Sequence, residues 1–134
     1  MDPCLSKCNK TTKRFTFNGK IVKAKVVSCF DGDTIGLVFV PHEGSEPCLF
    51  SCRCFKYNSA EIKSKDPEEK KKAIESRDYL RDRILNKIIT AELGNFDKYG
   101  RILTIIHCEG VNINDEMIEK GYGKLYDGHG TKLF

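Results

Sequence analysis

No apolar run in this 134-residue chain approaches the roughly 18 residues needed to cross a bilayer, and the N-terminus lacks the apolar core of a signal peptide. Those two absences point to a protein that works inside the cell and away from the membrane. Internal repeats and low-complexity segments are also missing, so the chain does not read as a solenoid, an array or a disordered tail. Neither sign of charge dominates: 23 Lys and Arg against 19 Asp and Glu leave a net charge of +4. Basic residues gather early (Lys7, Lys10, Lys13, Arg14, Lys20, Lys23, Lys25) and acidic ones late, a pattern that permits a polyanionic partner without requiring one. Cysteine, in contrast, is plentiful. Seven is an odd number that cannot all pair within one chain, and Cys4-x-x-x-Cys8 has no second pair at zinc-ligand spacing. Most of the thiols therefore read as reduced, partly buried small hydrophobes. With 40% hydrophobic and 31% charged residues, the length suits one globular domain that needs no disulfide to hold its core.

Residues 1–13 are polar and aperiodic and read as a flexible arm, 14–127 as the folded domain, and 128–134 as a tail. Within the domain, Arg14–Phe30 is strand-like, with Val22, Ala24 and Val26 alternating against Lys23, Lys25 and Val27. Ile35–Val40 is a second strand. After the breakers from Pro41 to Pro47, Cys48–Tyr57 is a third. The period then changes. Asp66-Pro67-Glu68-Glu69 supplies an N-cap and a first-turn proline, and Ile74, Leu80, Ile84 and Ile88, supported by Ala73 and Leu85, recur at near-helical spacing. Ile88–Leu93 and Arg101–Cys108 read as two more strands, and Asn112–Lys120 as a short helix that Gly121 ends. Five strands, one long amphipathic helix between the third and fourth, and a short C-terminal helix make an α+β, mainly β chain with the element order of an OB-type barrel.

Three stations carry chemistry. Asp31-Gly32-Asp33-Thr34 sets two carboxylates around a turn glycine at the end of a strand. Arg53 opens a segment ending in Asn58-Ser59-Ala60-Glu61, and Asp97-Lys98-Tyr99-Gly100-Arg101 follows later. Each has a bland explanation. Asp-Gly is a common turn dipeptide, Arg53 fits an exposed strand position, Glu61 a surface acid, and the third station a polar hairpin turn. Together they place carboxylates, a carboxamide, a hydroxyl and two guanidinium groups on one short chain, which is equipment for handling a phosphodiester. His42, His107 and His129 carry no comparable signal.

The runs V-V-S-C-F-D-G-D-T, R-C-F-K-Y-N-S-A-E, F-D-K-Y-G-R and G-Y-G-K-L-Y-D-G occur in an order and spacing that resembles the staphylococcal nuclease-like (thermonuclease) family, from about Lys20 to Asp127. The resemblance implies an OB-like barrel and a calcium-dependent nuclease of low sequence specificity that acts on single-stranded or unstructured DNA and RNA, as a monomer with one ion and no small-molecule cofactor. By position it implies metal ligation at Asp33, Asn58 and the backbone carbonyl of Ser59. It assigns placement or activation of the attacking water to Glu61, phosphate gripping to Arg53 and Arg101, and substrate contact to Lys98, Tyr99 and Tyr126. Two departures stand out: Asn58 where the family carries a second metal-binding aspartate, and Ala60 where it usually carries proline. No helical pattern follows Tyr126-Asp127-Gly128, where well-known members carry a third helix. A barrel that binds nucleic acid or another protein without cleaving is the alternative that Asn58 keeps open.

Overall fold

The alternation read in the sequence becomes strand β1 (Ile21–Asp31), which sends Ala24, Val26 and Cys29 into the core and leaves Lys23, Lys25 and Val27 at the surface. In the computed structural model, which describes residues 3–125, β1 follows a helical turn α1 (Pro3–Ser6). After it come β2 (Thr34–Phe39), β3 (Cys48–Cys54), β4 (Tyr57–Asn58), α2 (Pro67–Ile84), β5 (Ile88–Phe96) and β6 (Ile102–Cys108). The short elements β7 (Val111–Asn112), α3 (Ile113–Glu119) and β8 (Lys124–Leu125) complete the order.

β1 is long enough to serve two partners. Its first half pairs antiparallel with β5, from Ile21↔Glu92 to Lys25↔Ile88, and its second half pairs with β2, from Lys25↔Val38 to Asp31↔Thr34. Two register irregularities in the second half bend it around the core. β2 continues to β3 and β5 to β6, both antiparallel. β3 and β6 then meet in parallel at Cys52↔Ile102, Arg53↔Leu103 and Cys54↔Thr104, which closes five strands into a barrel. β7 extends beyond β6, and β4 pairs with β8 as a separate ribbon. The mainly β, OB-like architecture is the one expected.

Helix α2 begins as the sequence suggests, with the Asp66 side chain accepting from the Glu68 amide and Pro67 in the first turn. Its core face is different. Ala73, Ser76, Leu80 and Ile84 are buried, whereas Ile74 faces out and Ile88 opens β5 at 73% exposure. The reason is proximity: a Cβ on Gly32 would lie 2.0 Å from Ser76 Oγ and 2.9 Å from Ser59 Cβ. Where α2 crosses the β1–β2 turn, only small side chains fit between helix and sheet.

Other boundaries moved too. β1 begins at Ile21, not Arg14. Phe17 instead closes one end of the barrel, edge-on to Phe39 and Phe50 with ring centroids 5.7 and 5.5 Å away. The strand expected over Cys48–Tyr57 breaks at Phe55-Lys56, where Lys56 takes a φ of 78°. α3 is capped by the Asn112 side chain on the Asp115 amide and stops before Gly121, whose φ is 81°. Asn114 ties α3 to the barrel, accepting from the Ile106 amide and donating to the Phe55 and Thr104 carbonyls. Cys29, Cys52, Cys54 and Cys108 are buried, and burial pushes the Cys52 thiol to about 11 and Cys54 to about 12. Both stay protonated and act as packing groups. Among the described residues no helix is long and apolar enough to cross a membrane.

Candidate active site

The Asp31–Thr34 segment is indeed a hairpin turn, and the site is built on it. Asp31 pairs with Thr34 across the β1–β2 junction, leaving Gly32 and Asp33 at the tip. The tip is fixed from beneath: the fully buried Tyr57 donates its hydroxyl to the Gly32 carbonyl at 2.7 Å. Gly32 is required there because any larger residue meets α2. Asp33 consequently turns back over the sheet. Its Oδ2 accepts from the Ser59 amide at 2.9 Å and lies 3.2 Å from Arg53 Nη1, while its Oδ1 accepts from the Thr34 hydroxyl at 3.1 Å.

Arg53 does not take the bland alternative of an exposed strand position, since it is only 8% exposed. β3 sits at the closing seam, between β2 and β6, so Cys52 and Cys54 fill the barrel while the Asp33 turn and residues 57–59 cover Arg53. Its Nη1 donates to the Cys54 and Tyr57 carbonyls at 3.1 and 3.0 Å, and its Nη2 donates to Asn58 Oδ1. Asn58 is buried as well. Its carboxamide oxygen is engaged by Arg53, and its Nδ2 is a buried donor with no hydrogen-bond partner.

The opposite rim comes from the Asp97–Arg101 turn. Asp97 Oδ1 accepts from the amides of Tyr99 and Arg101, and Asp97 Oδ2 accepts from Arg101 Nε at 2.8 Å. Gly100 supplies the left-handed residue, with φ 82°. Arg101 thus leaves the turn in one direction, reaching Thr34 Oγ1 at 3.3 Å across the seam. Tyr99 is 72% exposed, with the Arg101 guanidinium 5.4 Å and the Lys98 ammonium 5.2 Å from its ring centre.

A cleft of about 380 Å³ is lined by Asp31, Asp33, Thr34, Arg53, Glu61, Tyr99 and Arg101. Asp31 Oδ1 accepts from the Ile62 amide at 3.4 Å, which holds the loop carrying Glu61 beside it. Burial holds the Asp31 carboxyl above its ordinary range, and the charges of Asp33 and Glu61 push it further, against the Ile62 N–H and Lys63. A second cleft of similar volume, between residues 18–21 and 92–95, contains one carboxylate and no arginine.

Most of the residues singled out from sequence therefore meet. Asp33, Arg53, Asn58 and Ser59 share hydrogen bonds, and Asp33 and Arg53 line the cleft with Glu61, Tyr99 and Arg101, whereas Asn58 and Ser59 are buried and do not line it. Lys98 stands on the turn beside Tyr99, and Tyr126 lies outside the described residues. Thr34 and Asp97, which aim Arg101, and Tyr57, which props the turn, had not been singled out from the sequence, although all three stand inside the quoted motifs. Among the described residues no three acidic, histidine or cysteine side chains converge as a closed metal cage. The donors that do face the cleft are oxygens, two of them the strand-end carboxylates Asp31 and Asp33.

Residues 53–132 match the family described as staphylococcal nuclease homologue, a stretch that takes in Arg53, Asn58, Glu61 and Arg101. The chain is also 31% identical over 105 residues to an uncharacterized protein of Bacillus anthracis, a match covering 76% of this chain and 46% of that protein. It thus spans about half the length of that relative. With the barrel closed, the three motifs brought to one cleft and the match beginning at Arg53 itself, the chain belongs to the family of staphylococcal nuclease homologues.

Proposed function

We propose that this protein hydrolyses phosphodiester bonds of DNA and RNA with the aid of one calcium ion, with little sequence preference and best on single strands. The observation that carries this reading is one cleft that gathers three carboxylates, Asp31, Asp33 and Glu61, with two guanidinium groups, Arg53 and Arg101. Calcium, when bound, supplies Lewis-acid polarisation and orients water. Asp33 and Asp31 are the cleft groups that would hold it; Asn58 and Ser59 do not line the cleft, and Asn58 would join them only by releasing its carboxamide oxygen from Arg53.

The chain's own residues do the rest. In-line attack on a phosphodiester builds negative charge on the non-bridging oxygens. Arg53, immobilised by the Cys54 and Tyr57 carbonyls, is a fixed positive charge against it. Arg101, half-buried and aimed by Asp97, presents the second guanidinium and can grip phosphate through two N–H groups. Glu61, on the loop stitched to Asp31, takes a proton from the attacking water or aims it. The exposed Tyr99 and Lys98 meet the flanking phosphate and sugar.

The test is release of acid-soluble fragments from heat-denatured DNA, with millimolar calcium and with chelator. Calcium-dependent release is expected, and Glu61→Gln should lower its rate by about 10²- to 10⁴-fold with an unchanged melting curve. A folded protein that binds oligonucleotides but releases nothing would instead be a binding module. Asn58 favours that second reading, because a neutral amide holds a cation less strongly than the aspartate of other family members. Asn58→Asp adds a carboxylate and removes the unpartnered buried Nδ2. It is expected to tighten calcium binding about tenfold by titration calorimetry. An unchanged Kd would show that position 58 is not a ligand position.

A further inference from the structure

We propose that Phe30 and Lys63, next in the chain to the cleft residue Asp31 and to the Glu61 loop, form a base-stacking subsite taking an unpaired nucleobase and its phosphate from single-stranded DNA or RNA. The proposal rests on the nucleic-acid reading of the cleft and names how that site would choose its substrate form.

The other grouped phenylalanines, Phe15, Phe17, Phe39, Phe50 and Phe96, pack against one another at the barrel end that Phe17 closes. Phe30 joins none of those ring pairs. It lies on β1 between buried Cys29 and the cleft residue Asp31, 53% exposed, at the register irregularity that ends the strand. The Lys63 ammonium stands 5.8 Å from the centre of its ring. The same two stretches of chain, residues 30–31 and 61–63, also meet through the Ile62 amide on Asp31. Phe30 and Lys63 are therefore direct neighbours of Asp31 and the Glu61 loop.

The opposite rim has the same composition. Tyr99, 72% exposed, stands among Lys98 and Arg101. An open aromatic ring with a cation thus stands next to Asp31 and another on the Asp97–Arg101 turn. Rings of this kind stack nucleobases without regard to sequence, and the adjacent cation attends the phosphate. A duplex keeps its bases stacked inside and offers none to either ring, so two such platforms favour unpaired strands.

Binding of a fluorescent oligothymidylate of about twelve nucleotides, read by anisotropy with chelator present so that no cleavage intervenes, tests the subsite. Phe30→Ala is expected to weaken single-strand binding by about 5- to 100-fold, and Phe30→Trp to retain it. Lys63→Ala should weaken binding and flatten its salt dependence by about one phosphate contact. Binding of a duplex of equal length should not respond to Phe30. Phe30→Ala binding as tightly as wild type, equal losses on single strand and duplex, or no binding by wild type would each overturn the subsite. Cleavage with calcium but no effect of Phe30 would remove the subsite and keep the nuclease. A Phe30 effect on binding without cleavage would keep the subsite and remove the nuclease.

Discussion

Arg101→Ala is expected to slow calcium-dependent cleavage of denatured DNA by about 10³-fold while the protein stays folded. The two halves of that expectation come from different bonds. The guanidinium lies on the cleft and is the cation whose donors are least committed internally: one N–H to Asp97 and one, at 3.3 Å, to Thr34. Charge developing on a phosphate there loses its partner when the side chain is cut back. The stability cost is small, about 1 kcal/mol, because the ion pair is partly solvated and Asp97 keeps its bonds to the Tyr99 and Arg101 amides. Arg101→Lys should fall between the two, since an ammonium retains the charge but not the two-pronged grip. Rates on denatured DNA beside urea melts of the same preparations decide the matter, and an unchanged rate in Arg101→Ala would remove this residue from the mechanism.

Arg53→Ala is expected to act first on stability, with a loss of about 3–5 kcal/mol. The residue is 8% exposed, and its removal strands several partners at once. Asp33 keeps a buried carboxylate without its counter-charge, and the Cys54 and Tyr57 carbonyls and Asn58 Oδ1 each lose a donor. Against a typical total of about 5–15 kcal/mol for a domain, that is enough to leave a sizeable unfolded fraction at warm temperatures. Pairing Arg53→Met with Asp33→Asn should recover part of the loss, because the uncompensated charge goes as well. A urea midpoint unchanged in Arg53→Ala would mean that the Asp33 pair contributes nothing to folding. Lost cleavage in an Arg53 variant therefore needs its melting curve beside it, whereas lost cleavage in an Arg101 variant speaks of catalysis directly.

Local signals carried much of this in the sequence, and long-range ones did not. Asp66-Pro67 and Asn112 mark helix starts because capping is a matter of a few adjacent residues, and Gly121 marks an end for the same reason. The alternation of β1 was legible because one of its faces is wet. Helix α2 misled because hydrophobicity favoured Ile74 and Ile88, whereas the space left by Gly32 selects Ser76. The burial of Arg53 was hidden for a related reason. Alternation gives it an outward direction, and no local pattern says that the Asp33 turn and Tyr57–Ser59 roof that side. The site residues were found through motifs. Their holders, Tyr57, Thr34 and Asp97, became visible only with the turns in place.

The parallel meeting of β3 and β6 has a temporal side. No hairpin can join parallel neighbours, and here the chain between Cys54 and Ile102 runs through all of α2 and β5 before it returns. Contacts so far apart in sequence form late in folding, after the hairpins and the helix have shortened the loop to be closed. Arg53 and Arg101 belong to the two sides of that junction. Until it zips shut, neither a nascent chain nor a half-opened one possesses the paired cations. On the proposed activity, the timing acts as a safety catch: a hydrolase with little regard for sequence is armed only by its own complete folding.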